Sequence, residues 1–171
     1  MTDRLFVAIW PDASAREALA ATLDAARTEY PDIRWQPESR WHVTLAFLGE
    51  SDPSRTSSRL EALAMPASEP IRLEGSGTFG PIVWVGVEHG PWLTHLAARI
   101  RRKLRVDEPR FRAHVTVGRA RGNRMTVRAK AAAAGLAEHS GPAWTPGRLT
   151  LVGSRIGPDP EYRVIAEWPL R

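Results

Sequence analysis

The sequence contains no cysteine, which excludes disulfides, thiolate metal sites and cysteine nucleophiles and suits a reducing compartment. It also lacks any apolar run near the roughly 20 residues that a membrane-crossing helix requires. The longest such run, residues 5–10, has the length and composition of a strand. Met1-Thr2-Asp3-Arg4 leads straight into it without the pattern of a secretory leader, so a cytoplasmic location is expected and no membrane partner. Lysine is scarce, with only Lys103 and Lys130 among 24 basic residues. No low-complexity linker interrupts the chain. Its 171 residues suffice for one domain with a substantial core, or two small lobes sharing one. A monomer is the default expectation.

What is present is ordinary for a globular protein in bulk, at 43% hydrophobic and 25% charged residues. The charge is uneven. Residues 1–85 carry 8 basic and 12 acidic side chains, whereas residues 86–171 carry 16 and 7. The planar fork of arginine suits bidentate contact with phosphate, so the basic half fits a phosphate-rich partner. On charge alone a solvated arginine-rich surface is the better explanation.

Strand-like and helix-like segments alternate. Residues 4–10 read as a strand closed by Pro11. Ser14-Ala15-Arg16-Glu17 matches a capping box, predicting a helix to about Glu29 with Ala15, Leu19, Leu23 and Ala26 on one side. A second strand is expected over 41–48, stopped by Gly49. Asp52-Pro53 opens a short helix with Leu60, Leu63 and Ala64 inward. Strands are expected over 71–74 and 82–88, joined through glycines. A helix over 91–105 turns Leu93, Leu96, Ala97, Ile100 and Leu104 inward and His95, Arg99 and Arg102 outward. A strand over 111–118, a helix over 125–138 and strands over 149–156 and 163–168 complete the reading. Both halves follow the order strand, helix, strand with histidine, helix, strand, which is a weak internal duplication.

Its best witness is a doubled motif, His42-Val43-Thr44 and His114-Val115-Thr116, with the histidines 72 residues apart. Strand alternation puts His42 and Thr44 on one face and Val43, Leu45 and Phe47 on the other; the second copy sets His114 and Thr116 against Val115 and Val117. Two such strands in matching lobes bring two imidazoles and two hydroxyls to a common groove. Opening a cyclic phosphate with water needs a base on the attacking oxygen and an acid on the leaving oxygen. Histidine serves as either near neutrality. Threonine hydroxyls on the same face can donate to non-bridging oxygens as charge builds. A lone His-x-Thr is more often a surface pair; two matched copies are much harder to explain that way. Two histidines without carboxylate or cysteine at ligand spacing make a poor zinc site, so no metal and no cofactor are expected. His89, His95 and His139 receive no role. Gly75-Ser76-Gly77-Thr78-Phe79-Gly80 has the G-x-G-x-x-G spacing, but a strand and not a helix follows, so it is no dinucleotide site.

The paired motifs, the opening Arg4-Leu5-Phe6-Val7-Ala8-Ile9 run and the string from Arg34-Trp35 through Phe47-Leu48-Gly49 resemble the RNA 2′,3′-cyclic phosphodiesterases of bacteria and archaea. These two-histidine (2H) phosphoesterases are also called 2′-5′ RNA ligases. The resemblance implies an α/β fold of two interleaved lobes in one domain over residues 1–171. Its two antiparallel sheets would flank a central cleft, with helices outside. It also implies hydrolysis of 2′,3′-cyclic phosphates on RNA ends or nucleotides to 2′-phosphates. His42 would be the acid on the 3′ oxygen and His114 the base for water; Thr44 and Thr116 would hold phosphate oxygens. Phe47 matches a position near the base-binding region of relatives, although strand parity puts it in the core. Arg119 matches a phosphate-contacting arginine, yet it reaches the cleft only if the strand bends or ends near Gly118. Arg121 and Arg124 either guide an RNA tail or are simply solvated. Reversible 2′-5′ ligation uses the same groups in reverse, and a binding module without turnover is the reading from a different class.

Overall fold

The computed structural model describes residues 3–155, 157 and 161–171. Its elements are β1 (Arg4–Ile9), α1 (Ala13–Glu29), β2 (Ile33–Trp35), β3 (Val43–Glu50), α2 (Pro53–Glu61), β4 (Arg72–Phe79), β5 (Ile82–Glu88), α3 (Pro91–Leu104), β6 (His114–Ala120), α4 (Met125–Gly135), β7 (Arg148–Ser154) and β8 (Tyr162–Pro169). The expected segments are present with shifted ends, and β2 is additional. It spans three residues between Pro31 and Pro37, too few to show a period. The strand expected to run to 156 closes at Ser154, and Ile156 lies outside the described residues.

Local chemistry explains most helix ends. The α1 cap is Asp12 rather than Ser14: its Oδ1 accepts from the Ala15 N–H at 2.8 Å, with Ser14 already inside the first turn. A carboxylate there meets the positive end of the helix dipole, which a hydroxyl two residues later does not. Ala15, Leu19, Leu23 and Ala26 are buried along one side, as their spacing predicts. Asp52 caps α2 with Pro53 in the first turn, but the helix ends at Glu61 and buries Thr56 and Leu60. Leu63 is half-buried beyond that end and Ala64 is exposed. Along α3 the five expected residues are buried, joined by Trp92.

All strand pairings are antiparallel, in the order β4-β5-β6-β3-β1-β7-β8, with β2 added beside β6. The two expected sheets are therefore one hydrogen-bonded sheet, joined at a single register pair, Val43↔Val115. The duplication explains this order. The run β1-α1-β3-α2-β4 corresponds to β5-α3-β6-α4-β7, and each run gives its third strand away. Strand β4 pairs with β5, and β7 pairs with β1. Helix residues such as Leu19, Leu93 and Ala129 share one core with Val43, Leu45, Val115 and Val117. The opposite face of β1 carries a separate small cluster, Phe6, Ala8 and Val152, with Trp10 and Tyr162 beside it.

The glycine-rich string runs through β4 into a hairpin. Gly75 and Gly77 lie within the strand, and Gly80 makes the turn with φ 54°. A Cβ on Gly77 would stand 2.3 Å from the Trp84 ring, so the glycine makes room for an indole.

Asp12→Ala is expected to destabilise the fold by about 1 kcal/mol, and Ser14→Ala by less than about 0.5 kcal/mol. Urea denaturation of the two variants checks this; equal losses would put the cap back at Ser14.

Candidate active site

The residues before β3 place His42. A 3-10 turn at Glu38–Arg40 follows Pro37, and Trp41 anchors the chain with its ring buried and its Nε1–H donating to the Gln36 carbonyl at 3.1 Å. His42 thus stands immediately before β3, not within it, and His114 is the first residue of β6. Each is followed by a valine of the joining pair. Antiparallel pairing at that point sets His42 across from Thr116 and Thr44 across from His114, all on the face away from the helices. The two imidazoles are close enough that charge on His114 disfavours charge on His42.

Both rings are held alike. His42 Nδ1 lies 2.8 Å from the Arg40 carbonyl, and His114 Nδ1 lies 2.7 Å from the Arg112 carbonyl. A carbonyl only accepts, so each Nδ1 carries the proton and each neutral ring keeps its Nε2 lone pair. Aromatic side chains collar them. Phe6 stacks on His42 at 4.7 Å between centroids, with Trp10 at 5.2 Å and the edge of Tyr162 at 5.5 Å. Phe79 meets His114 edge-on at 5.1 Å, and Trp84 lies 6.0 Å away. Burial among these rings pushes His42 down to about 4 against the pull of the Arg40 carbonyl. Burial also lowers His114, and the Arg112 guanidinium adds to the effect.

Two β-bulges resolve the parity of Phe47 and Arg119. In the β1–β3 ladder the register skips Leu45, since Ala8 pairs with Thr44 and Val7 with Ala46. In the β5–β6 ladder it skips Val117, since Trp84 pairs with Thr116 and Val83 with Gly118. Each bulge falls three residues after a histidine and shifts the alternation by one. Phe47, expected in the core, is 46% exposed and lines the cleft. Arg119 is exposed on the face that carries Thr116, although β6 runs on without ending at Gly118. Gly118 makes room for β2 beside it, because a Cβ there would stand 2.6 Å from the Ile33 side chain.

A cleft of about 1310 Å³ extends from Thr44, Phe47 and His114 between β4–β5 and the segment leading into β6. Its lining includes Arg101, Glu108, Arg110, Phe111 and Arg112, none of which was singled out from the sequence. Arg112 lies 5.1 Å over the Trp84 ring. One signal was available, because the doubled motif is longer than His-Val-Thr: it reads Arg40-Trp41-His42-Val43-Thr44 and Arg112-Ala113-His114-Val115-Thr116. His89, given no role, also lines the cleft. His95 is exposed. His139 is buried at the end of the turn that follows α4, with Nδ1 2.8 Å from the Thr22 hydroxyl. Among the described residues, no group of three or more His, Asp and Glu side chains is arranged to hold a metal, and no helix is long and apolar enough to cross a membrane.

A histidine kept neutral in the fold costs stability in acid. The unfolded chain takes up its proton near pH 6.5, and folded His42 only near 4. Stability should therefore fall as pH drops through that window, by up to about 3 kcal/mol from this ring. His42→Phe, which keeps an aromatic among Phe6, Trp10 and Tyr162, should flatten the dependence. Urea midpoints at pH 7.5 and 4.5 measure both; an unchanged slope in the variant would remove His42 as the source.

Comparison with known proteins identifies the family. Residues 10–155 match the model of the 2′-5′ RNA ligase superfamily. An RNA 2′,3′-cyclic phosphodiesterase of Archaeoglobus fulgidus is 35% identical over 127 residues, covering 68% of this chain and 72% of that protein. One of Geobacillus stearothermophilus is 26% identical over 179 residues and 96% of this chain, which spans 56% of that relative's length. In fold, the chain is similar to Escherichia coli LigT, crystallised with 3′-AMP (TM-score 0.76, 22% identity, 99% of both chains). It is also similar to TT0787 of Thermus thermophilus (TM-score 0.72, 24% identity, 98% of both). The chain belongs to the 2′-5′ RNA ligase superfamily, the two-histidine phosphoesterases whose members include the RNA 2′,3′-cyclic phosphodiesterases.

Proposed function

We propose that this chain opens the 2′,3′-cyclic phosphate of RNA ends or nucleotides to a 2′-phosphomonoester, by acid–base catalysis between His42 and His114 without a metal. The observation that carries this reading is the matched pair of imidazoles flanking one backbone junction, each with Nδ1–H held by a carbonyl and, among the described residues, no hydrogen-bond partner on Nε2. One Nε2 takes a proton from water as its oxygen bonds to phosphorus. The other, protonated, gives its proton to the 3′ oxygen as the P–O3′ bond breaks. Thr44 and Thr116 are the donors for the non-bridging oxygens, and Arg119 adds positive charge beside them. Phe47 offers its exposed ring to the base. The 3′-AMP bound by the E. coli protein of the same fold supports a nucleotide ligand. One domain of two lobes with exchanged strands, acting in the cytoplasm as a monomer, completes the reading.

The resemblance assigns the acid to His42 and the base to His114. A second assignment is favoured by burial. The more deeply enclosed His42 is the poorer holder of a proton in the free protein, which suits a base. A substrate with sulfur in place of the bridging 3′ oxygen separates the two, because a thiolate leaves without an acid. The histidine whose alanine variant recovers on this substrate is the acid.

Hydrolysis of an oligoribonucleotide ending in a 2′,3′-cyclic phosphate is expected to resist EDTA, release the 2′-phosphate, and follow a bell-shaped pH profile. His42→Ala and His114→Ala should each lower kcat by about 10²–10⁴-fold. An inert wild type, or variants that keep its rate, would move a non-catalytic binding module to the front. Ligated product dominating over hydrolysis would favour the ligase.

A further inference from the structure

Strand β3 loses regular pairing on both edges within a few residues. It leaves β6 after Val43 and bulges against β1 at Leu45. Backbone groups freed in this way need partners, since a buried amide or carbonyl left unpaired is costly. Two side chains from outside the sheet supply them. Arg101, in the last turn of α3, donates from Nε to the Leu45 carbonyl at 2.9 Å. The Phe47 N–H donates to Glu108 Oε1 at 2.8 Å. The two side chains also meet each other. Arg101 Nη2 lies 2.8 Å from Glu108 Oε2, an ion pair only 17% and 20% exposed. Nη1 of Arg101 donates to the Pro109 carbonyl at 2.9 Å, and its guanidinium sits 5.3 Å over the Phe111 ring. One arginine therefore ties the β3 bulge to the segment that forms the facing wall of the cleft.

We infer that Arg101 and Glu108 are positioning residues: their ion pair holds the β3 bulge in the shape that presents Phe47 to the nucleotide, and fixes the width of the cleft at that point. The inference rests on the proposed function only for what Phe47 touches; the staple itself does not depend on it. Arginine is needed at 101 because its fork reaches two carbonyls and a carboxylate at once, which a lysine ammonium on a single stem does not. Loss of an ion pair that served stability alone would lower the melting temperature without changing which part of a ligand is recognised.

The test compares the full-length wild type with Glu108→Ala, Glu108→Gln, Phe47→Ala and the Phe47→Ala/Glu108→Ala double variant. Amide exchange at residue 47, read by NMR, reports the staple directly. Affinities for 2′-AMP and for inorganic phosphate report its effect on base and phosphate separately. Glu108→Ala should speed exchange at Phe47 by about tenfold or more. It should weaken 2′-AMP by about five- to tenfold, the size of one ordinary lost hydrogen bond. Phosphate affinity should stay within about twofold, and the double variant should bind 2′-AMP no more weakly than Phe47→Ala alone. Glu108→Gln, which keeps an acceptor oxygen, should restore part of the protection and also covers the case of an unfolded alanine variant. Unchanged exchange at Phe47, or penalties that multiply in the double variant, would overturn the inference. A wild type that hydrolyses no cyclic phosphate would sink the proposed function instead, and the exchange experiment would still judge the staple.

Discussion

The pairing of Val43 with Val115 is the constraint on which the rest of the site depends. Among the described residues it is the one register pair that joins the halves of the sheet, and the residues on either side of it are the histidines and threonines of the doubled motif. Antiparallel geometry at a single pair fixes their spacing on both sides at once. Because the strands part immediately afterwards, the same junction that brings the imidazoles together also opens the cleft beside them. The valines face the shared helical core, so the separation of the two rings is set by packing and not by the rings themselves.

The two copies of the motif are matched close to the histidines and differ further along. Both histidines use the carbonyl two residues back, both are followed by valine and threonine, and both strands bulge three residues on. Five residues after the histidine the copies differ: one strand presents the ring of Phe47 and the other the guanidinium of Arg119. The collars differ too, since Phe6, Trp10 and Tyr162 enclose His42 more tightly than Phe79 and Trp84 enclose His114. A symmetric pair of imidazoles in unequal surroundings no longer titrates equally, and two unequal ends give a bound ligand only one favourable orientation.

Much of this was legible in the residue pattern, for physical reasons that also mark where legibility stops. The alternation around Val43 and Val115, the spacing of Leu19 and Leu23, and the Asp52-Pro53 start of α2 act within a few residues and read directly. The doubled His-Val-Thr announced the site in the same way. The bulges did not read, because a bulge belongs to two strands and appears in neither alone; Phe47 therefore looked like core and Arg119 looked misdirected. The union of the expected two sheets depends on one pair 72 residues apart, and β2 is too short to show a period. Arg101 and Glu108 looked like any exposed charges, since the carbonyl and amide they hold lie more than 50 residues away along the chain. The helix cap was legible but misassigned: Asp12 and Ser14 are both good caps, and the backbone after Pro11 favours the first.

The exchange of third strands has a consequence for how the chain acquires its shape. Val7 in β1 pairs with Leu151 in β7, 144 positions later, while β4, made early, finds its partner in the half that follows it. Neither half closes its own sheet. During synthesis β1 emerges from the ribosome long before the strand that will cover its outer edge, and that edge stays open in the interval. The architecture that makes a two-sided cleft from a repeated unit thus leaves one edge of β1 without its partner until the strand at Arg148–Ser154 has been made.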